Sequence, residues 1–133
     1  MAVPERVVEE MVKEASIKMK DPSYAERMVS SWIGAQPFVT QYLASRAAKL
    51  GGAEGVINVV FHAALLAACF LRHGGRSVPV IDFPTLDRVS RLDRVVEIKK
   101  RQPALEAYLG TNVEGEEARK ILVLLVLVMD DMS

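Results

Sequence analysis

The stretch that most constrains this fold is Ala53–His73, AEGVINVVFHAALLAACFLRH, which carries no charged side chain between Val56 and Leu71. Its only clearly polar side chains in that interval are Asn58 and His62. A helix that is apolar on every side has to be covered on every side, so other elements must pack around it. We therefore predict that this stretch is a central helix of an all-α domain.

A second apolar run is ILVLLVLVM, residues Ile121–Met129. Its branched side chains alone would suit a buried strand as well as a buried helix. The charged segment at 112–120 leads into the run without a break, and Thr111 with Glu114 has the spacing of a helix capping box. The run is therefore predicted to be helical.

The rest of the chain alternates helical patterns with Gly or Pro breaks, which predicts a single domain over residues 1–133, built as a bundle of six to seven helices. Residues 74–83 are expected to form an ordered loop, because Pro79 cannot donate a ladder hydrogen bond in a central strand. A continuous helix is expected over 84–101. Its predicted buried residues are Val89, Leu92, Val95 and Val96.

Two segments resemble each other: QPFVTQYL at 36–43 and QPALEAYL at 102–109. One interpretation is a duplication that yields two pseudo-symmetric three-helix units, 22–73 and 84–132, with an additional N-terminal helix. The alternative is that Gln-Pro is simply a favourable helix start, since proline fits the first helical turn.

The bulk composition narrows the possible partners. Seventeen basic and seventeen acidic side chains cancel, so no net field attracts nucleic acid or anionic membrane. The single cysteine, Cys69, and an acidic N-terminal segment without an apolar signal core predict a reducing, cytoplasmic setting. Residues 56–71 number only 16, short of the roughly 20 that a membrane-spanning helix needs, so no membrane is expected as a partner.

The candidate ligand-binding residues centre on Asn58 and His62, which lie four positions apart on one helix face and are expected to form a buried hydrogen-bonded pair. Trp32 and the two repeated tyrosines, Tyr42 and Tyr108, are candidates for the same pocket. No pattern of nucleophile and base accompanies His62, so no catalytic residue is assigned.

Cys69 and His73 are spaced as a possible pair of metal ligands. His62 lies eleven residues before His73, roughly 16 Å along a helix axis, so one ion cannot bind both histidines. Two ligands do not complete a zinc site. We therefore expect no metal and no cofactor.

The segment 84–101 is the most basic of the chain, and Arg88, Arg91 and Arg94 are its candidate nucleic-acid contacts. Acidic residues are interleaved with these arginines and no aromatic side chain accompanies them. A solvated, self-compensated helix face is therefore the favoured interpretation, and nucleic acid is an unlikely partner.

The sequence predicts a non-enzymatic protein that acts by association, with a partner protein or as a homo-oligomer, in the simplest case a dimer. A chain of this length is expected to enclose about one fully apolar helix, yet it contains two such stretches, and the surplus apolar surface favours a subunit interface. The alternatives are a small-molecule-binding or catalytic bundle with a pocket near Asn58 and His62, and a nucleic-acid-binding subunit that uses the basic helix.

Overall fold

The computed structural model describes residues 2–133, and over that range the chain forms nine helices and no β-strand, which confirms the predicted all-α class. In chain order the helices are α1 (Glu5–Lys18), α2 (Tyr24–Ala35), α3 (Pro37–Ala44), α4 (Ala47–Leu50), α5 (Ala53–Gly74), α6 (Phe83–Ser90), α7 (Arg94–Arg101), α8 (Pro103–Asn112) and α9 (Glu116–Met132).

The centre of the fold is formed by the two apolar helices, α5 and α9, which pack against each other. The run Ile121–Met129 is helical, as predicted, and every side chain from Leu124 to Met129 has 0% exposure. The expectation that a second apolar helix leaves surplus surface is therefore wrong for α9, because one chain encloses it. Helices α1 to α4 cover α5, and α6, α7 and α8 cover α9, with α4 also touching it.

Helix α5 is long and apolar enough to cross a membrane by length and composition alone, with a mean hydropathy of 1.8 in its most apolar window. Eight of its side chains are buried, among them Val59, Val60, Ala63 and Leu66. Packing against the surrounding helices accounts for part of this apolar composition, because 44% of that window is buried and a core helix carries the same kinds of side chain.

The fold has more helices than the six or seven predicted, because two segments each divide into two helices. The predicted continuous helix over 84–101 divides at 91–93, and the segment 37–50, between the breaks at Gln36-Pro37 and Gly51-Gly52, divides at Ser45 and Arg46. At the break at 91–93 the Asp93 carboxylate accepts a hydrogen bond from the Val96 backbone N–H at 3.3 Å, which caps a new helix start. The aspartate at position 93, which caps the start of α7, was the missed signal.

The break at 91–93 changes which side chains are buried. The prediction that Leu92, Val95 and Val96 are buried is wrong: they are 39%, 66% and 56% exposed. Val89 on α6 is buried as expected, and Ile98 is the buried residue of α7. Because the turn restarts the helical phase, the apolar positions of α7 no longer continue the buried face of α6.

The start of α9 also differs from the prediction. Helix α8 continues through Thr111 to Asn112, so Thr111 and Glu114 do not form a capping box. Gly115 precedes α9 instead, with a φ of 93°, a conformation that glycine adopts without steric cost.

Residues 75–82 form the loop predicted around Pro79, and Gln36 holds it in place. Gln36 is 2% exposed and lies between α2 and α3. Its Oε1 accepts from the Ile81 backbone N–H at 2.8 Å, and its Nε2 donates to the Pro79 carbonyl at 2.9 Å. Since the loop offers one donor and one acceptor, only this orientation of the amide satisfies both.

Gln102 performs a similar role between α7 and α8. It is 0% exposed, and its Oε1 accepts from the Val3 backbone N–H at 2.8 Å. Its Nε2 donates to Oδ1 of Asp130, also at 2.8 Å. The backbone of Gln36 (φ −131°, ψ 68°) and that of Gln102 (φ −138°, ψ 63°) are nearly the same. The glutamines that begin the two similar segments, 36–43 and 102–109, therefore each hold a non-helical segment against a junction between two helices.

We predict that Gln36→Leu lowers the free energy of unfolding by about 1–3 kcal/mol, because a leucine leaves the buried Ile81 N–H and Pro79 carbonyl without partners. Gln41→Leu, at an exposed position of α3, is the matched control and should change it by less than about 0.5 kcal/mol. Urea denaturation measures both. Equal losses in the two variants would show that the Gln36 amide adds no stability.

Candidate functional site

The only polar contact among the predicted ligand-binding residues joins His62 of α5 to Tyr108 of α8. Nδ1 of His62 and the Tyr108 hydroxyl lie 2.8 Å apart. The ring centroids are 5.8 Å apart in an edge-to-face arrangement. His62 also makes an edge-to-face contact with Phe61, which in turn contacts Tyr24 of α2. A line of aromatic rings thus connects α2, α5 and α8.

Burial keeps both members of this pair neutral. Desolvation lowers the pKa of His62 from its usual 6.5 and raises the pKa of Tyr108 to about 12, with a smaller contribution from Cys69. Each shift disfavours the charged form, as expected for groups removed from water. At neutral pH the pair is thus a hydrogen bond between an imidazole and a phenol, which suits a link between helices better than proton transfer.

Cys69 lies on the same face of α5 and is 4% exposed. Burial raises the pKa of its thiol to about 11, so the nucleophilic thiolate is scarce at neutral pH. Among residues 2–133 no three His, Cys, Asp or Glu side chains are grouped so that they could hold a metal ion. Cys69 is therefore best described as a small apolar side chain of the core.

The other predicted members of this pocket do not join the pair. Asn58 is exposed, so the predicted buried Asn58–His62 pair is wrong. The cause is the side of α5 on which it lies: Glu54 and Ile57 are exposed there too, whereas the next residue, Val59, is 0% exposed. Tyr42 is half-buried and lies against the Arg46 guanidinium, whose carbon is 3.8 Å from the ring centroid. That contact is a local cation–π interaction within one turn of chain.

Trp32 lies in a different place, in an open groove of about 670 Å³ between α2 and α5 that we call the Trp32 groove. The indole is 7% exposed, and Tyr24 and Met28 line the same groove. Most of its remaining apolar wall consists of alanines, namely Ala35, Ala64, Ala67 and Ala68. Small side chains on two packed helices leave space that larger ones would fill. This spacing of alanines was the signal missed in the sequence.

The exposed apolar residues Leu92, Val95 and Val96 define a second surface, which we call the α7 face. Leu92 lies in the turn before α7. On an ideal helix Val95 and Val96 are about 100° apart, and the buried Ile98 lies about 60° beyond Val95. Lys99 lies between Val95 and Val96. Beside this face is a groove of about 450 Å³ between α7, α8 and α9, whose lining includes Leu92 and Val95.

The predicted nucleic-acid contacts are divided by the break at 91–93. Arg88 forms an ion pair with Asp131 at 2.7 Å, and Arg91 forms one with Asp87 at 2.8 Å. Arg94 is half-buried at the start of α7. Two of the three arginines thus have an acidic neighbour, and the three do not share one continuous helix. This arrangement does not favour phosphate binding by this segment.

Three comparisons, with protein-family models, curated proteins and solved structures, found no match to this chain. Its candidate sites are therefore defined by its own geometry. They are the neutral His62–Tyr108 link, the Trp32 groove and the α7 face.

The lowered pKa of His62 predicts a pH dependence of stability. Between the folded pKa and 6.5 the unfolded chain binds more protons than the folded one, so the free energy of unfolding falls as pH is lowered below 6.5. Above 6.5 this contribution is fully present. His62→Gln should reduce the slope of stability against pH between about 6.5 and 5.

His73→Gln is the control for this experiment, because it removes the other histidine of the chain. It should retain the slope of the unmodified protein when both are measured by urea denaturation at a series of pH values. A slope that is lost in His73→Gln and kept in His62→Gln would contradict the assignment.

Proposed function

We propose that this protein acts by protein–protein association and that it forms a homodimer through the α7 face. The observation that supports the proposal is the exposure of Val95 (66%) and Val96 (56%), with Leu92 (39%) beside them. Apolar side chains grouped on one exposed surface are the composition of an interface core. Lys99 lies between Val95 and Val96 on the helix, so its ammonium group has to extend to the rim of such an interface.

The charges around the α7 face are compatible with a twofold pair. Asp93 and Lys100 are seven residues apart, about 20° from two full helical turns, so they lie on the same flank at opposite ends of α7. If two α7 helices pack antiparallel about a twofold axis near Val96, each Asp93 comes close to Lys100 of the second copy. In a parallel pair the twofold axis runs along the helices and places this flank on opposite sides in the two copies, so neither charge meets its opposite. We therefore favour the antiparallel arrangement.

The contact is small, since α7 has only eight residues. Stable interfaces bury about 1,200–2,000 Å² in total, so the groove beside α7 has to contribute as well. We expect a weak dimer, with a dissociation constant of roughly micromolar order.

Sedimentation equilibrium over a range of protein concentrations tests the dimer. We expect the unmodified chain to approach a dimer mass at high micromolar concentration. The double variant Val95→Glu/Val96→Glu should remain monomeric, because association would bury two carboxylates in an apolar contact. Its unfolding midpoint should change little, as both side chains are exposed in one chain.

Ile57→Glu is the matched control, because Ile57 is 52% exposed on α5, away from α7. It should dimerise like the unmodified protein. If the unmodified chain has a monomeric mass throughout the concentration range, it does not self-associate. The association proposal would then have to be tested with a different protein as the partner.

We also propose that the fold is an internal duplication. In support of this, Gln36 and Gln102 have nearly the same backbone angles and the same kind of buried contact to an extended segment. Helix α2 packs on α5 much as α7 packs on α9. The two segments also begin alike, with Val-Pro at residues 3–4 and 78–79, which suggests units that start before α1 and α6 rather than at 22 and 84.

A reducing, cytoplasmic location remains part of this proposal. It is supported by the single thiol of Cys69, which lies buried in the core and has no second cysteine in the chain with which to form a disulfide.

A further inference from the structure

We propose that the Trp32 groove binds an amphipathic small molecule with an apolar chain and one carboxylate, of the fatty-acid type. The groove is formed by α2, α5, the end of α1 and the loop at 77–78. Neither Leu92, Val95 nor Val96 lines it, so the site is separate from the α7 face and does not depend on the association proposed above.

The size and lining of the groove suit a small ligand. Its volume of about 670 Å³ falls within the range of roughly 300–1,000 Å³ typical of ligand sites, which are mostly apolar with few polar groups. Trp32 and Ala64, each 7% exposed, are part of its lining. Tyr24 and Met28 add an aromatic and a flexible apolar wall, which is favourable for an alkyl chain.

Trp32 also presents a hydrogen-bond donor. Within residues 2–133 the indole N–H has no hydrogen-bond partner. In the same range every fully buried side-chain nitrogen or oxygen has a partner, so the indole nitrogen is not fully buried. It is therefore accessible to solvent although the residue is more than nine-tenths buried. Because Trp32 lines the groove, an acceptor oxygen of a bound molecule could take this N–H, as buried indoles usually find a partner.

The charge at the mouth of the groove favours an anion. Arg27 and Asp21 form an ion pair at 3.1 Å, so their charges offset each other. Lys18 has no carboxylate within 4.0 Å in the described part of the chain, and its Nζ lies 6.0 Å from the Tyr24 ring centroid. Lys18 also acts electrostatically on Glu14, one turn earlier on α1, but Glu14 is already paired with Arg72. The groove lining itself holds two cations, Lys18 and Arg27, and one carboxylate, Asp21, so its net positive charge complements a single carboxylate.

The opposite end of the groove fixes the direction of the ligand. Gln36 lines that end, but both polar atoms of its amide are already bonded to Ile81 and Pro79. Polar groups with satisfied hydrogen bonds offer little to a carboxylate. The carboxylate should therefore lie near Lys18, with the alkyl chain directed along the alanines toward Val78.

The chain's one tryptophan is Trp32, so its fluorescence reports directly on the groove. We would titrate the full-length protein with decanoate, decanol and decyltrimethylammonium below their micelle-forming concentrations, and repeat each titration by calorimetry. We expect saturable binding at one site per chain, with decanoate the tightest of the three and the cationic probe the weakest.

Two variants test the position of the ligand. Lys18→Gln should weaken decanoate binding about two- to fivefold and leave decanol binding unchanged, the effect expected for one exposed ion pair. Lys20 lies outside the groove, so Lys20→Gln should change the binding of neither probe. Ala68→Leu should abolish binding of all three probes by filling the groove, whereas Ala48→Leu, exposed on α4, should not.

The proposal is overturned if neither fluorescence nor calorimetry detects saturable decanoate binding to the unmodified protein. It is also overturned if the three probes bind equally, because the Lys18 charge would then select nothing. Since Lys18 is an exposed residue and its substitution leaves the core intact, the Lys18→Gln comparison remains decisive even if Ala68→Leu fails to fold.

Discussion

The packing of α5 against α9 is the interaction on which the rest of the structure depends. In α9 every side chain from Leu124 to Met129 has 0% exposure. One neighbouring helix cannot cover such a segment, because it shields only part of the circumference of α9. Helix α5 covers one side, and α6, α7 and α8 cover much of the rest. Short helices suit this task, since each can follow a different direction around the cylinder that it covers.

The sequence was a good guide wherever burial is uniform and a poor one wherever it depends on helical phase. The stretch at 121–129 was predicted correctly because any helix there is buried whichever way it turns. The stretch at 56–71 was also correctly predicted as a helix, but only eight side chains of α5 are buried, and Ile57, Asn58 and Leu71 are exposed. The failure at Leu92, Val95 and Val96 has the opposite cause. A turn of three residues rotated α7 relative to α6, and the pattern of apolar residues alone does not show such a rotation.

The candidate site shows a similar division. The pairing of His62 with Tyr108 joins residues 46 positions apart, and residue types suggested both members but could not show that they meet. Asn58 was misplaced because an all-apolar stretch does not show which side of the helix its neighbours leave uncovered, and Asn58 lies on that side with Ile57. The Trp32 groove was hidden for another reason: alanine is favourable in any helix, so Ala64, Ala67 and Ala68 indicate no cavity until α2 is in place.

Gln102 has a further consequence for the connectivity of the chain. Its amide bonds both Val3, which precedes α1, and Asp130, in the last turn of α9, so the first and last elements of this fold are neighbours in space. Such proximity is what a circular permutation of a domain requires. A short linker could join them, and new ends could be opened in the exposed residues 75–77. The polypeptide would then begin with the second half of the present fold, while Gln36 and Gln102 each kept the segment that it now holds.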